Sequence, residues 1–158
     1  MEIENLHLLR KLLKDLILEE HQHRPFFSCN DHADIKLPGI DTKNLLLKAN
    51  EPILCVLPCA RRLNIKALKQ ILAVKILNFA SADECKELLG SEQGHLSVLG
   101  LLVTKAKVKV IFDSSLMEHE KIQLHPCVNT LTWIFETEVL VNFLKNCGLN
   151  LTVCNIGC

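Results

Sequence analysis

Three short polar segments interrupt an otherwise apolar chain, and each carries residue types that can do chemistry. Thr42-Lys43-Asn44 directly precedes three leucines. Gly94-His95-Leu96-Ser97-Val98 lies between a helix-like segment and an apolar one. His125-Pro126-Cys127-Val128-Asn129-Thr130 separates two strand-like runs. A lysine can hold a phosphate as a point charge. A glycine loop can offer backbone N–H groups to a carbonyl or phosphate oxygen. A histidine followed by proline sits on a stiffened turn and can donate or accept a hydrogen bond. Taken singly, each segment also reads as an ordinary solvated loop, and loops held by a rigid sheet are where sites concentrate.

Other chemistries lack their residues. The chain contains no G-x-x-x-x-G-K-S/T, no G-x-G-x-x-G, no G-x-S-x-G and no H-E-x-x-H. No acidic pair suited to glycoside hydrolysis stands out. His21, His23 and His32 fall close together, but no carboxylate or cysteine pattern completes a ligand set, so they read as surface histidines. The eight cysteines sit mostly in apolar segments, where a thiol behaves as a small hydrophobe, and they read as free thiols. Cys55/Cys59 and Cys154/Cys158 have Cys-x3-Cys spacing, yet neither pair has a histidine at finger spacing. The expectation is no metal and no cofactor.

With 158 residues, the chain suits one domain, 1–158, with a real core. Hydrophobic residues make up 49% and charged residues 23%, a globular composition. Lysine plus arginine equals aspartate plus glutamate at 18 each, so a nucleic-acid partner would have to use a local basic patch. The N-terminal segment lacks the basic-then-apolar order of a secretory signal. No apolar run reaches the length of a membrane span. A soluble, cytoplasmic protein that does not engage membrane is expected.

These segments need elements to position them. Leu6, Leu9, Leu13 and Leu16, with Leu12 and Ile17, predict an amphipathic helix over 2–20. A strand-like piece follows around Phe26-Phe27-Ser28, then an irregular or short helical link. Residues 44–48 and 53–57 read as two strands joined by a turn at Asn50-Glu51-Pro52. Asn64 caps a helix with Ile65, Leu68, Ile71 and Leu72 inward. Residues 75–80 form a short strand. Ser81 and Glu84 make a capping box for a helix that Gly90 ends. Residues 99–103 and 108–113 read as a strand hairpin, with Lys105, Lys107 and Lys109 on one face. Arg61, Arg62, Lys66 and Lys69 could extend that basic surface. Strands at 121–124 and 130–136, a helix at 137–148 and a last strand at 149–154 complete one mixed α/β domain.

The ordered segments "HRPFFS", "LPGIDTKNLLLK", "GHLSVLGLL", "VKVIFDSSLMEHEKIQLHPCVNT" and "NFLKNCG" together resemble the YbaK-type aminoacyl-tRNA editing family. That family includes the editing insertion of bacterial prolyl-tRNA synthetases and free-standing relatives, and the chain is most similar to the subgroup that removes alanine from proline tRNA. The resemblance runs from about His21 to Gly148. It implies a single-domain, strongly curved mixed sheet surrounded by helices. It implies hydrolysis of the ester joining a wrong amino acid to the tRNA 3′ end, with no metal and no protein nucleophile. Partners would be mischarged tRNA and a prolyl-tRNA synthetase. Lys43 would bind the terminal adenosine, the Gly94 loop would offer N–H groups near the ester, and His125 would line the amino-acid pocket. Thr42, Asn44, Ser97, Val98, Gly100, Asn129 and Thr130 would complete substrate binding. The family loop runs Gly-x-x-x-Pro, whereas here Val98 holds the last place. Proline fixes φ, so valine there implies a looser loop, and a catalytically weakened tRNA-binding or interaction module of the same fold is the alternative reading.

Overall fold

The structure, a computed structural model, describes residues 2–158. The first helix, α1 (Glu2–Leu13), buries Leu9 and Leu13 completely. It stops well short of the expected residue 20, because the amides of Leu16 and Ile17 both turn back onto the Leu13 carbonyl. The chain then forms strand β1 (Glu19–Gln22), whose residues alternate between half-buried and exposed. A buried indole explains that switch. Trp133 is fully buried and its Nε1–H must find an acceptor; Glu20 supplies one at 2.7 Å and also pairs with Arg10.

Two sheets follow. β2 (Thr42–Lys48) and β3 (Pro52–Pro58) pair antiparallel, with Lys43 opposite Leu57 and Asn44 opposite Val56. β4 (Asn78–Phe79) flanks β2, while β5 (Lys109–Asp113) and β8 (Leu151–Cys154) add parallel on the other side of β3, giving the order β4-β2-β3-β5-β8. The second sheet, β1-β7-β6, combines β1 with β6 (Lys121–Leu124) and β7 (Leu131–Glu136), all antiparallel. A bridge between Ile40 and Ile122 and a 2.7 Å bond from Thr42 Oγ1 to the Gln123 carbonyl join the sheets. The mixed α/β architecture thus matches the expectation, but two joined sheets, one mixed and one antiparallel, stand in place of a single mixed sheet.

The remaining helices are α2 (Ile65–Leu72), α3 (Ala82–Leu89), α4 (Leu101–Thr104) and α5 (Thr137–Asn146). Asn64 accepts from the Ala67 amide and caps α2. At α3, Ser81 and Glu84 form the expected capping box and Gly90 closes the helix in the left-handed region. The Ser81 amide, and then Lys48, hold the Glu84 carboxyl down at about 2.

Further expectations fail. Residues 99–103 are not a strand: Val98–Gly100 form a 3-10 turn running into α4, and β5 pairs with β3 and β8 instead. Gly100 decides this packing, since a Cβ there would meet the Leu89 carbonyl at 2.2 Å. Lys105, Lys107 and Lys109 consequently do not share one strand face, because Lys105 caps α4 at φ 55 and only Lys109 lies in a strand. Residues 26–28 are irregular, and the nearby strand is β1.

Cys29 and Cys59 are joined by a disulfide across 30 residues, with Cα atoms 5.7 Å apart, against the expectation of free thiols. Of the others, Cys55, Cys85 and Cys127 are buried thiols, and burial pushes Cys55 up to about 12. Among the described residues no helix is long and apolar enough to cross a membrane.

Candidate functional site

β2 begins where the two sheets meet, and its first residues open onto a cavity of about 230 Å³. Thr42, Lys43, Asn44 and Leu45 form its floor. Gly94 and Leu96 come from the loop after α3, His125 from the end of β6, and Phe26, Phe27, Ser28, Cys29 and His32 from the segment after β1. Thr42, Lys43, Asn44, Gly94 and His125 therefore meet in one cavity, although Lys43 and His125 are 82 positions apart in the chain.

Lys43 is half-buried, and its Nζ lies 3.5 Å from the Cys59 carbonyl. Burial, and secondarily Arg62, lowers its pKa. Among the described residues no carboxylate pairs with it. A partly desolvated ammonium without an anionic partner favours an anion brought from outside.

His125 is held the opposite way. Its Nδ1 lies 2.8 Å from the Leu131 carbonyl, which fixes Nδ1 as the donor and leaves Nε2 as an acceptor. Burial drives its pKa down to about 4, against the Leu131 bond, and His32, His23 and His95 add to the lowering. The ring is therefore neutral at physiological pH. It belongs to an aromatic cluster: His23 stacks on the buried Phe26 at 3.8 Å, and His32 lies 4.5 Å from Phe26 and 5.7 Å from His125. His32 is thus a half-buried wall residue, and His23 a half-buried ring stacked on Phe26, rather than surface histidines. Burial also lowers the His32 pKa. No group of three or more histidine, cysteine or acidic side chains among the described residues is arranged to hold a metal ion.

Gly94 has φ +92, and a Cβ there would stand 2.7 Å from the Phe27 carbonyl. Only glycine lets this loop lie against the opposite wall. The loop is anchored at its far end, where the Val98 amide donates to Asn44 Oδ1 at 2.9 Å.

Of the other expected residues, Ser97, Val98, Gly100, Asn129 and Thr130 do not line the cavity. Ser97 is fully buried and its hydroxyl accepts from the Leu99 amide. Val98 and Gly100 are buried in the 3-10 turn. The carbonyls of Asn129 and Thr130 receive the amides of Phe26 and His23, which fastens the aromatic wall. Thr42 borders the cavity, but its hydroxyl is donated to Gln123. Sequence reasoning missed Phe26, Cys29 and His32 as wall residues; the "HRPFFS" segment was the available signal for Phe26, and nothing comparable marked Cys29 or His32.

A larger cleft of about 710 Å³ lies elsewhere, bordered by Lys105, Lys107, Lys109, Glu51 and Gly148 among others. It adjoins the Pro52 end of β3, whereas Lys43 pairs near the Pro58 end. Those lysines therefore sit away from the Lys43 cavity.

Residues 29–143 match the model of the aminoacyl-tRNA editing domain. The chain is 28% identical over 133 residues to the prolyl-tRNA editing protein ProX of Acetoanaerobium sticklandii, covering 80% of this chain and 81% of that one. It is 33% identical over 127 residues to the prolyl-tRNA synthetase associated domain-containing protein 1 of Bos taurus, covering 75% and 74%. In fold it is similar to a crystal structure described as a candidate trans-editing enzyme for prolyl tRNA synthetase, with TM-score 0.77 at 14% identity over 97% of this chain and 96% of that one. It is likewise similar to hypothetical protein APE2540, with TM-score 0.76 at 19% identity over 97% and 99%. The match to the family model spans most of the chain and includes every segment that builds the cavity except the Phe26 turn: the chain belongs to the aminoacyl-tRNA editing domain family.

Proposed function

We propose that this protein is a trans-editing deacylase, with residues 1–158 acting as one unit, that hydrolyses the ester of mischarged tRNA, alanyl-tRNA(Pro) foremost. The observation that carries the reading is the cavity shared by a half-buried Lys43 with no carboxylate partner among the described residues, the Gly94 loop and a neutral His125. Lys43 holds the tRNA 3′ end through its phosphate or ribose oxygens. The Gly94 loop turns N–H groups toward the ester carbonyl, where negative charge develops. The aromatic wall and His125 bound the amino-acid side chain, and walls that admit alanine and exclude proline are what a second sieve requires. Water forms the new bond to the carbonyl carbon, the ester C–O bond breaks, and the ribose oxygen leaves and takes a proton. A neighbouring ribose hydroxyl helps to orient that water. An aminoacyl ester is already activated, so orientation and polarisation suffice. No cofactor enters. The protein would work in the cytoplasm beside a prolyl-tRNA synthetase, clearing its errors.

The test is a deacylation panel of alanyl-, cysteinyl- and seryl-tRNA(Pro) with wild type and Lys43→Ala. Wild type should release alanine well above buffer, and Lys43→Ala should fall toward background. Equal rates for the two proteins would overturn the proposal, and undiminished tRNA binding without turnover would favour the binding-module alternative.

A further inference from the structure

The Gly94 loop must keep its amides aimed, and Val98 is one point at which it is held. Val98 is the first residue of the 3-10 turn, preceded by an extended Ser97 at φ −143 and ψ 139. That is the backbone setting in which proline is favoured: the first position of a helical turn, after an extended residue. The chain has valine there, and the N–H that proline would lack is captured by Asn44 Oδ1 at 2.9 Å. Asn44 follows Lys43 directly in β2.

We infer that Asn44 is a positioning residue: its bond to the Val98 amide fixes the Gly94 loop to the strand that carries Lys43, doing through a hydrogen bond what a proline ring would do covalently. The bond also settles the carboxamide. A backbone N–H needs an oxygen, so Oδ1 must face Val98. The whole loop from Gly94 to Gly100 is then held at three places: Gly94 against the Phe27 carbonyl, Val98 on Asn44, and Gly100 against the Leu89 carbonyl. Of these, the Asn44 bond is the side-chain contact that registers the loop against β2. Asn44 also borders the cavity, but its Oδ1 is occupied by the Val98 amide; loosening that bond misaims the donors while Lys43, which holds the tRNA end, stays in place, so the loss falls more on kcat than on KM. This inference rests on the deacylase reading for its kinetic arm and stands without it for its structural arm.

The experiment uses the full chain and four proteins: wild type, Asn44→Ala, Val98→Pro and the double variant. Asn44→Ala should lower kcat for alanyl-tRNA(Pro) roughly tenfold, the worth of about one net hydrogen bond, with KM little changed. Val98→Pro alone should change kcat little, because the ring replaces the lost bond. In the double variant, Val98→Pro should restore most of the activity that Asn44→Ala lost. Amide exchange measured by NMR should show Val98 protected in wild type and exposed in Asn44→Ala. If proline fails to rescue Asn44→Ala, or if the Val98 amide exchanges equally in wild type and Asn44→Ala, the positioning role is wrong. If wild type hydrolyses none of the aminoacyl-tRNAs, the deacylase reading falls, and the exchange measurement alone decides whether Asn44 holds the loop.

Discussion

The ammonium of Lys43 lies 3.5 Å from the carbonyl oxygen of Cys59, and Cys59 is the residue disulfide-bonded to Cys29 on the facing wall of the cavity. One backbone group therefore positions the proposed anion-binding cation, and the covalent bond beside it fixes how far apart the two walls stand.

Lys43→Ala should reduce kcat/KM for alanyl-tRNA(Pro) by about tenfold to a hundredfold, the range for a hydrogen bond to a charged group. Lys43→Arg should recover part of it, since charge is kept while the point-like geometry is lost. Steady-state kinetics at two salt concentrations check this. The wild-type rate should fall more steeply with salt than that of Lys43→Ala.

Reducing the disulfide should lower stability by about 3.5 kcal/mol, from the loop-closure entropy of a ring of about 30 residues. Urea denaturation with and without dithiothreitol measures it. A Cys29→Ser/Cys59→Ser variant should match the reduced protein and be insensitive to the reductant.

Gly94→Ala should cost activity more than stability. The position is exposed, so the strain of φ +92 should amount to roughly 1–2 kcal/mol. The added Cβ nevertheless meets the Phe27 carbonyl at 2.7 Å and forces loop and wall apart. A fall in kcat of more than tenfold with a small change in Tm is the expected pair of results.

Acid should destabilise the protein through His125. Its folded pKa of about 4 lies below the ordinary 6.5, so between those values the unfolded chain binds the extra proton. The contribution is intact above about pH 6.5 and is lost progressively as pH falls through 4, to about 3 kcal/mol from this residue. His32, shifted in the same direction by burial, adds with the same sign. Urea midpoints from pH 7.5 to 4 should fall for wild type and fall less for His125→Gln.

Local signals carried much of this fold. Asn64, Ser81, Glu84 and Gly90 sit at the helix ends where their side chains and backbone freedom place them. The leucines after Asn44 form β2 because the pattern there is short, apolar and bounded by turn residues. Residues 99–103 misled because an apolar run of that length suits a strand or a buried helical turn equally, and the choice rests on Gly100 meeting Leu89. Lys43, Gly94 and His125 could be named from their segments, but the aromatic wall could not. Phe26 and His32 belong to the site only because the carbonyls of Asn129 and Thr130 draw the irregular segment across it. The Cys29–Cys59 bond was equally hidden, since no spacing rule links cysteines 30 residues apart.

That bond also changes what a break in the chain would mean. Residues 29–59 form a closed ring that contains Lys43, Asn44 and the exposed Lys36. A protease that nicks the backbone at Lys36 would open the ring without releasing a fragment. Both halves would still travel as one molecule on a non-reducing gel, and would separate once thiol is added.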